Sequence, residues 1–426
     1  MGAVRAACIL ATRPAAPHRT CPRGPAPRPR SRLPVSDTTS PPPASPTRTA
    51  LHRAAQTGAR HLAGALARLR AGAPAHVAGY RGYATGGRAL VLARVLQGAP
   101  LAAAEATHSR WRNLLDALRR IESDPLAHVA LDGRLGAHPF HATSDDEGFV
   151  RQWVPLSVPL PPGEWHAVTL APAGGATLPP GLMPSVLAPA ATARFGIVSD
   201  LDDTVLQSDA TRLLNAARLL LLENARTRLP FPGVAALYRA LVAGATGAEG
   251  NPVFYVSSSP WNLYDVIADF LDVQQIPTGP LLLRDWDLGR GLARHGTHKR
   301  AAIAELLDAY PSLPFLLVGD SGQEDPEIYR AIAGDFPGRV LGVWIRSVAR
   351  APERIAAVRA LADELAEQRI PFVLADDSAA LAADGVRRGW LGPDAVTAVD
   401  GSAQRDAARP AVPLAGSDDD APASGP

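Results

Sequence analysis

The chain has 426 residues, of which 46% are hydrophobic and 20% are charged, so it can bury one large or two modest cores, and we expect two folded domains with tails. Its formal net charge of +2 provides no overall field that would attract nucleic acid, and we predict no nucleic-acid partner. Both cysteines, Cys8 and Cys21, lie in the N-terminal tail, which excludes a disulfide framework and a cysteine metal site from the remainder of the chain.

The first 76 residues divide into two segments of different composition. Residues 1–50 contain eight arginines, eleven prolines and one acidic residue, a composition that predicts a disordered tail. Residues 51–76 begin with LHRAAQTGARHLAGALARLR, in which leucines share one face and arginines the others, so we predict an amphipathic helix. Two interpretations of this helix stay open: it packs on the next domain, or it lies on a membrane surface.

Residues 77–172 are predicted to form a β-rich, sandwich-like module. Short, partly alternating segments rich in Val and Trp are typical of strands: RALVLARVL, AHVALDGRL, GFVRQWVPLSV and EWHAVTLAP. Apolar residues at helical spacing predict one helix at 109–121. The Pro- and Gly-rich residues 173–192 are expected to form a linker to the second domain.

Residues 193–395 show strands alternating with helices, the pattern of an α/β fold with a parallel sheet. The apolar run FGIV stops at the acidic sequence SDLDDT, so its carboxylates are expected at the carboxyl end of a buried strand, where such sheets bind ligands. Three carboxylates within four positions repel one another, and a divalent cation with oxygen ligands, Mg²⁺ in our prediction, would offset their charge. Residues 396–426 are predicted to be a disordered tail.

Further polar groups follow the later strands of this half. Ser257 ends the second predicted strand, Lys299 begins a helix, and Asp320 and Asp325 lie in the sequence GDSGQED after another strand. Lys299 is the only lysine among 43 Lys and Arg residues, which indicates a position where a compact ammonium is required. Carboxylates, a hydroxyl and an ammonium at one crevice are the groups that phosphoryl transfer uses.

These motifs resemble a known family. DLDDT, followed in order by Ser257, Lys299 and Asp320, is similar to the four motifs of the haloacid-dehalogenase (HAD) type phosphohydrolases, which implies a HAD-like three-layer α/β/α parallel sheet. Six segments in order narrow the resemblance to the actin-patch-associated, Mg²⁺-dependent phosphatidate phosphatases and their bacterial relatives, over about residues 190–390: SDLDDTV, TRLPFPGVAALYRAL, FYVSSSPWNLYD, LLLRDW, THK and LVGDSGQEDPEIY. YRGYAT and SDDEGF resemble the domain found upstream in many of those proteins.

The resemblance implies a role for each matching position. Asp200 would be the nucleophile that forms an aspartyl-phosphate, and Asp202 the acid that protonates the leaving oxygen and later the base that activates water. Ser257 and Lys299 would hold the phosphoryl oxygens. Asp320 would complete the Mg²⁺ site together with Asp200 and the backbone carbonyl of Asp202.

Three neighbouring residues have less defined roles. Asp325 either ligates the metal through water or orients Lys299. Thr204 is a candidate substrate contact, and the alternative is that it fixes the loop. Arg284 follows a strand towards the same crevice, and substrate contact and a structural ion pair are both open interpretations.

The predicted function is an Mg²⁺-dependent phosphomonoester hydrolase, with phosphatidate as the leading substrate and diacylglycerol and phosphate as products. The alternatives are a phosphatase of soluble phosphomonoesters and a non-catalytic lipid-binding or scaffold protein with a decayed HAD domain. No stretch approaches the roughly 18 apolar residues that span a bilayer, so we expect a cytoplasmic protein, and peripheral contact with a membrane surface stays an open interpretation. Leucines in the segment 206–247 would either pack in the core or face acyl chains.

Overall fold

The computed structural model describes residues 75–97, 125–173, 183–201, 231–284, 295–348 and 351–408. The predicted N-terminal tail, the helix at 109–121 and nearly all of the predicted helical segment 51–76 lie outside these residues. So does the leucine-rich part of the segment 206–247. All described residues belong to one compact unit, Ala71–Pro426.

The N-terminal half contains eight strands in one mostly antiparallel sheet. They are β1 (Ala75–Gly79), β2 (Arg81–Ala84), β3 (Arg88–Gln97), β4 (Ala130–Leu135), β5 (His138–Thr143), β6 (Phe149–Pro155), β7 (Glu164–Pro172) and β8 (Ser185–Ala188). The order is β1-β3-β2-β8-β7-β4-β5, with β6 on β3, and the pair β2-β8 is parallel. The prediction of a β-rich module is confirmed, and its four predicted strands correspond to β3, β4, β6 and β7. We refer to β1–β8 as the β module.

Part of the predicted linker differs from expectation, because Ser185–Ala188 forms strand β8 within residues 173–192. Its backbone pairs with β2 on one side and β7 on the other, and the Val186 side chain is fully buried. The neighbouring Pro and Gly residues indicated a linker, and the pairing with β2, about 100 residues earlier in the chain, has no local signal in the sequence.

The C-terminal half contains a six-stranded parallel sheet, as predicted. Its strands are β9 (Gly196–Asp200), β10 (Val253–Pro260), β11 (Leu281–Arg284), β12 (Phe315–Asp320), β13 (Val340–Arg346) and β14 (Phe372–Ala375). The order is β11-β10-β9-β12-β13-β14. The chain first builds outward from β9 to β11 and then returns to place β12 on the other side of β9. Parallel sheets bind ligands at such a switch point, outside the carboxyl ends of the strands.

Seven α-helices and one short 3-10 helix accompany this sheet within the described residues. They are α1 (Val234–Ala243), the 3-10 helix Trp261–Leu263, α2 (Tyr264–Val273), α3 (His295–Ala309), α4 (Asp325–Asp335), α5 (Pro352–Glu367), α6 (Ser378–Arg387) and α7 (Ala395–Ala407). Helices α1, α6 and α7 contact one another, and α4 contacts both α3 and α5. All of these helices, within the described part of the chain, fall short of the length and hydrophobicity that a membrane crossing requires.

Helix α7 occupies the start of residues 396–426, a stretch whose sequence predicts a disordered tail. Val399 is fully buried and Ser402 nearly so, which places one face of the helix against α1 and α6. Asp406 also accepts a hydrogen bond of 2.9 Å from the backbone N–H of Gly233, which precedes α1 in a left-handed conformation that favours glycine. The apolar pattern of α7 is weak, and the helix is stabilised by these tertiary contacts.

Candidate active site

The two strands at the centre of the parallel sheet end on carboxylates. β9 ends at Asp200 and β12 at Asp320, and the backbone register pairs Ser199 with Val318. Because the two strands are neighbours and run in the same direction, their terminal side chains reach the same crevice. The sheet therefore brings together two residues that lie 120 positions apart in the chain.

Asp200, Asp320 and Asp325 form a cluster in which one carboxylate oxygen from each lies within 4.8 Å of the others. Burial, and then the neighbouring Asp325, raise the pKa of Asp320 to about 6, although backbone N–H groups and Lys299 act in the opposite direction. Buried carboxylates this close hold excess negative charge, and hard oxygen donors are the ligands that Mg²⁺ and Ca²⁺ prefer. The donor set therefore fits a hard divalent cation.

Lys299, in the first turns of α3, supplies the opposite charge. Its Nζ lies 2.8 Å from Asp200 Oδ1 and 3.0 Å from Asp325 Oδ1, and the side chain is only 4% exposed. Gln323 Oε1 accepts a longer hydrogen bond of 3.5 Å from the same Nζ. The only lysine of the sequence is thus buried between two of the predicted site carboxylates, as a compact point charge.

Asp325 uses both of its carboxylate oxygens inside the protein. Oδ1 contacts Lys299, and Oδ2 accepts a hydrogen bond of 3.1 Å from the backbone N–H of Asp320. Gly319 makes this approach feasible, because a Cβ there would lie 2.4 Å from Asp325 Oδ2. Of the two roles open for Asp325, these contacts favour orienting Lys299 over ligating a metal.

The loop after Asp320 is held by its own backbone and by a distant arginine. Asp320 Oδ1 accepts hydrogen bonds from the N–H groups of Gly322 (2.6 Å) and Gln323 (3.2 Å). Arg354, at the start of α5, donates to the carbonyl of Ser321 at 2.8 Å and to that of Gln323. The sequence motifs do not identify Arg354, because no local pattern links it to a loop about 30 residues earlier.

Ser257 lies beside Asp200 on the neighbouring strand. The register pairs Val256 of β10 with Asp200, so Ser257 is one position beyond the end of β9. Its side chain is fully buried, and its Oγ accepts a hydrogen bond of 2.9 Å from the N–H of Ser259. Ser257 therefore lies at the same sheet edge as the carboxylate cluster.

One other predicted residue, Arg284, lies farther along the same edge of the sheet. Arg284 ends β11 and pairs with Pro260, so it lies at the same end of the sheet but two strands from Asp200. Asp202 and Thr204 lie outside the described residues.

Tyr238 supports the end of β9, next to Asp200. The Tyr238 hydroxyl lies 2.5 Å from Ser199 Oγ, which in turn donates to the backbone carbonyl of Asp200 at 2.8 Å. Burial raises the pKa of Tyr238 to about 12, so its hydroxyl stays protonated at neutral pH. Helical spacing in the sequence places Tyr238 only on a buried face and does not indicate this contact.

We expect Mg²⁺ to stabilise the protein more at about pH 7 than at about pH 5. The folded protein holds the Asp320 proton more tightly than the unfolded chain does, so metal-free stability falls as pH rises from about 4 to about 6. A cation that binds the ionised carboxylate offsets this loss. Differential scanning fluorimetry with and without Mg²⁺ at the two pH values measures the effect. Asp320→Asn should reduce the Mg²⁺ shift, and an equal shift at both pH values in the wild type would contradict the expectation.

Comparisons with known proteins match this region. Residues 195–347 match the family described as phosphatidate phosphatase APP1, catalytic domain. Phosphatidate phosphatase APP1 of Saccharomyces cerevisiae is 29% identical over 156 residues, which cover 36% of this chain and 26% of the yeast protein. An uncharacterized protein of Schizosaccharomyces pombe is 30% identical over 160 residues, covering 36% of this chain and 25% of that protein.

A solved carbohydrate acetylesterase from Xanthomonas citri aligns at 11% identity over 63% of this chain and 66% of the esterase. Its TM-score of 0.22 is too low to indicate a shared fold.

The matched region spans about a quarter of the length of these two curated relatives. It begins one residue before β9 and ends one residue after β13, and therefore includes Asp200, Ser257, Lys299 and Asp320. The prediction of a phosphatidate phosphatase-like catalytic domain is thereby confirmed for residues 195–347 of this chain.

Proposed function

We propose that the protein is an Mg²⁺-dependent phosphomonoester hydrolase that converts phosphatidate into diacylglycerol and phosphate. The observation that carries the proposal is the Lys299 ammonium between Asp200 and Asp325, beside Asp320, in a segment similar to the catalytic domain of a phosphatidate phosphatase. An ammonium beside a cation-binding carboxylate cluster supplies the charges that a phosphoryl group requires.

We also propose that the parallel sheet and its helices form the HAD-like three-layer fold. The strand order, with β9 at the switch point, and the two separate groups of contacting helices support this architecture. In the same proposal, the β-rich module predicted at residues 77–172 and the catalytic domain predicted at residues 193–395 are two domains.

Asp200 and Asp320 would hold the Mg²⁺ ion, with the backbone carbonyl of Asp202 as a third ligand. When bound, Mg²⁺ neutralises phosphoryl oxygens and the developing negative charge. Asp325 would orient Lys299, because both of its oxygens already have partners within the protein.

Asp200 would attack the phosphorus atom through a carboxylate oxygen. A bond forms between that oxygen and phosphorus while the bond to the diacylglycerol oxygen breaks, which gives an aspartyl-phosphate. Lys299 would stabilise the phosphoryl oxygens by charge, and Ser257 would orient them by hydrogen bonding.

Asp202 would supply the proton that the leaving diacylglycerol oxygen requires. The resulting carboxylate would then take a proton from water, whose oxygen attacks the aspartyl-phosphate, releases phosphate and restores Asp200. Thr204 and Arg284 stay proposed substrate contacts.

Substrate preference tests this function. With Mg²⁺ present, we expect the purified protein to hydrolyse dioleoyl phosphatidate in vesicles with a kcat/KM at least about tenfold above that for glycerol phosphate, because binding of the acyl chains helps to position the phosphate. Phosphate release measures both rates. Higher efficiency on soluble esters would instead indicate a general phosphomonoesterase, and no turnover of any ester would indicate a non-catalytic lipid-binding protein.

Contact with a membrane surface is part of the same proposal. If the arginine-rich segment 51–70 attracts the protein to anionic vesicles, phosphatidate turnover should fall as salt concentration rises, whereas turnover of a soluble ester should not. A variant without residues 51–70 should lose this salt dependence. Unchanged salt dependence in that variant would contradict the assignment.

A further inference from the structure

We infer that the β module positions Ser257 and Lys299, which we call the phosphate-binding side of the active site. Within the described part of the chain, the β module does not hold Asp320, on the metal-binding side. This inference rests on the proposed function. Its basis is the set of contacts between the β module and three elements of the C-terminal half: the 3-10 helix Trp261–Leu263, α2 and α3. We call this set of contacts the joint.

The first part of the joint lies directly after the Ser257 segment. Trp261 follows the last residue of β10, and its ring centroid lies 4.9 Å from that of Tyr80 and 5.9 Å from that of Phe149, both in the β module. Tyr80 also packs against Tyr264 at 4.4 Å. Aromatic rings in such contact restrict one another's movement, so these rings fix the chain that leaves β10.

The second part of the joint holds both ends of α2. The Tyr264 hydroxyl, at the first residue of α2, accepts a hydrogen bond of 2.7 Å from the backbone N–H of Arg81. The guanidinium of Arg81 pairs with Asp272 at 3.1 Å, near the other end of the helix. One residue of β2 therefore fixes the orientation of the helix that follows the Ser257 segment.

The third part of the joint reaches the helix that carries Lys299. Glu305 lies six residues after Lys299 on α3, and its carboxylate accepts hydrogen bonds from the hydroxyl of Tyr83 (3.0 Å) and from Arg151 (2.5 and 2.6 Å). Tyr83 is fully buried and packs edge-on against Phe254 of β10, with ring centroids 5.7 Å apart. A displacement of the β module would therefore move α3 and β10 together.

The Asp320 side of the site is held mainly by other contacts, and it is linked to Lys299 through Asp325 and Gln323. Backbone N–H groups of the loop donate to Asp320 Oδ1, and Arg354 binds two carbonyls of the same loop. All of these groups belong to the C-terminal half. Loosening the joint should consequently weaken binding of the phosphoryl group more than binding of Mg²⁺. This separation distinguishes positioning by the β module from a general loss of stability.

A matched pair of phenylalanine variants tests the inference. Phe149→Leu removes the ring that contacts Trp261. Phe140→Leu makes the same exchange at a residue in the hydrophobic core of the β module itself. In phosphatidate hydrolysis, we expect Phe149→Leu to raise KM and the inhibition constant of inorganic phosphate at least about threefold, with the Mg²⁺ concentration for half-maximal rate within about twofold of the wild type. Phe140→Leu should lower the melting temperature and leave the kinetic constants unchanged. Phe149→Tyr, which keeps the ring, should have the KM of the wild type.

A second pair tests the contact with α3. The double variant Tyr83→Phe with Arg151→Ala removes the hydrogen-bond donors to Glu305, and we expect the same rise in both constants. Its control is Arg330→Ala, which breaks the similarly exposed pair of Arg330 and Glu364 between α4 and α5. Arg330→Ala should leave the kinetic constants unchanged.

The outcomes separate this inference from the proposed function. If the wild type turns over no phosphomonoester, the proposed function fails, and calorimetric titration of inorganic phosphate and Mg²⁺ then tests the joint by binding alone. If Phe149→Leu and Phe140→Leu lower stability alike and leave phosphate affinity unchanged, the inference is overturned. A loss of Mg²⁺ affinity equal to the loss of phosphate affinity would overturn it as well.

Discussion

Asp200→Asn should abolish phosphatidate hydrolysis and leave the protein folded. An amide cannot attack phosphorus, and the substitution also removes one negative charge from the cluster that would bind the metal. We expect turnover to fall by at least about three orders of magnitude, as losses of catalytic nucleophiles do. Measurement of phosphate release under saturating Mg²⁺ and phosphatidate gives this value directly.

The structure indicates that the Asp200→Asn variant can fold. Lys299 keeps Asp325 as a partner at 3.0 Å, so its buried ammonium is not left without a carboxylate. Asp335→Asn, at an exposed acid that pairs with Arg300 on the surface, is the matched control and should retain wild-type activity. Retention of more than about a tenth of wild-type activity in Asp200→Asn, with contaminating phosphatase excluded, would refute the covalent mechanism.

The parallel sheet could be predicted because its signal is local. Each strand is a short apolar run, and in β9 and β12 the run ends at an acidic residue. Carboxyl ends of parallel strands share one edge, so the meeting of Asp200 and Asp320 follows from strand direction once the two strands are adjacent. Their adjacency itself is a long-range property that the pattern of either strand does not contain.

The features that were missed depend on contacts distant in sequence. β8 pairs with β2 about 100 residues away as well as with nearby β7, and α7 packs on α1 about 160 residues away as well as on nearby α6. The distant partners leave no signal in the local sequence pattern of either element. Arg354 donates to two backbone carbonyls, which accept from any donor and leave no trace in the sequence near Asp320. Sequence motifs thus reveal groups with a chemical role more readily than the groups that orient them.

Lys299→Arg should be severely impaired although it preserves the positive charge. Lys299 Nζ lies within 3.0 Å of carboxylate oxygens from Asp200 and Asp325, and the side chain is only 4% exposed. A planar guanidinium is larger and directs its donors along fixed vectors, so it would displace these carboxylates or occupy the space of the phosphoryl group. We expect kcat/KM for phosphatidate to fall at least about a hundredfold.

The neighbouring position provides the control for this substitution. Arg300→Lys makes the reverse exchange one residue later, at an exposed side chain that pairs with Asp335, and should leave kcat/KM near the wild-type value. Thermal unfolding of both variants separates loss of stability from loss of catalysis, because a folded Lys299→Arg protein with low activity isolates the need for a compact ammonium. Wild-type kinetics in Lys299→Arg would show that the only lysine of this chain is not required as a point charge beside the phosphoryl group.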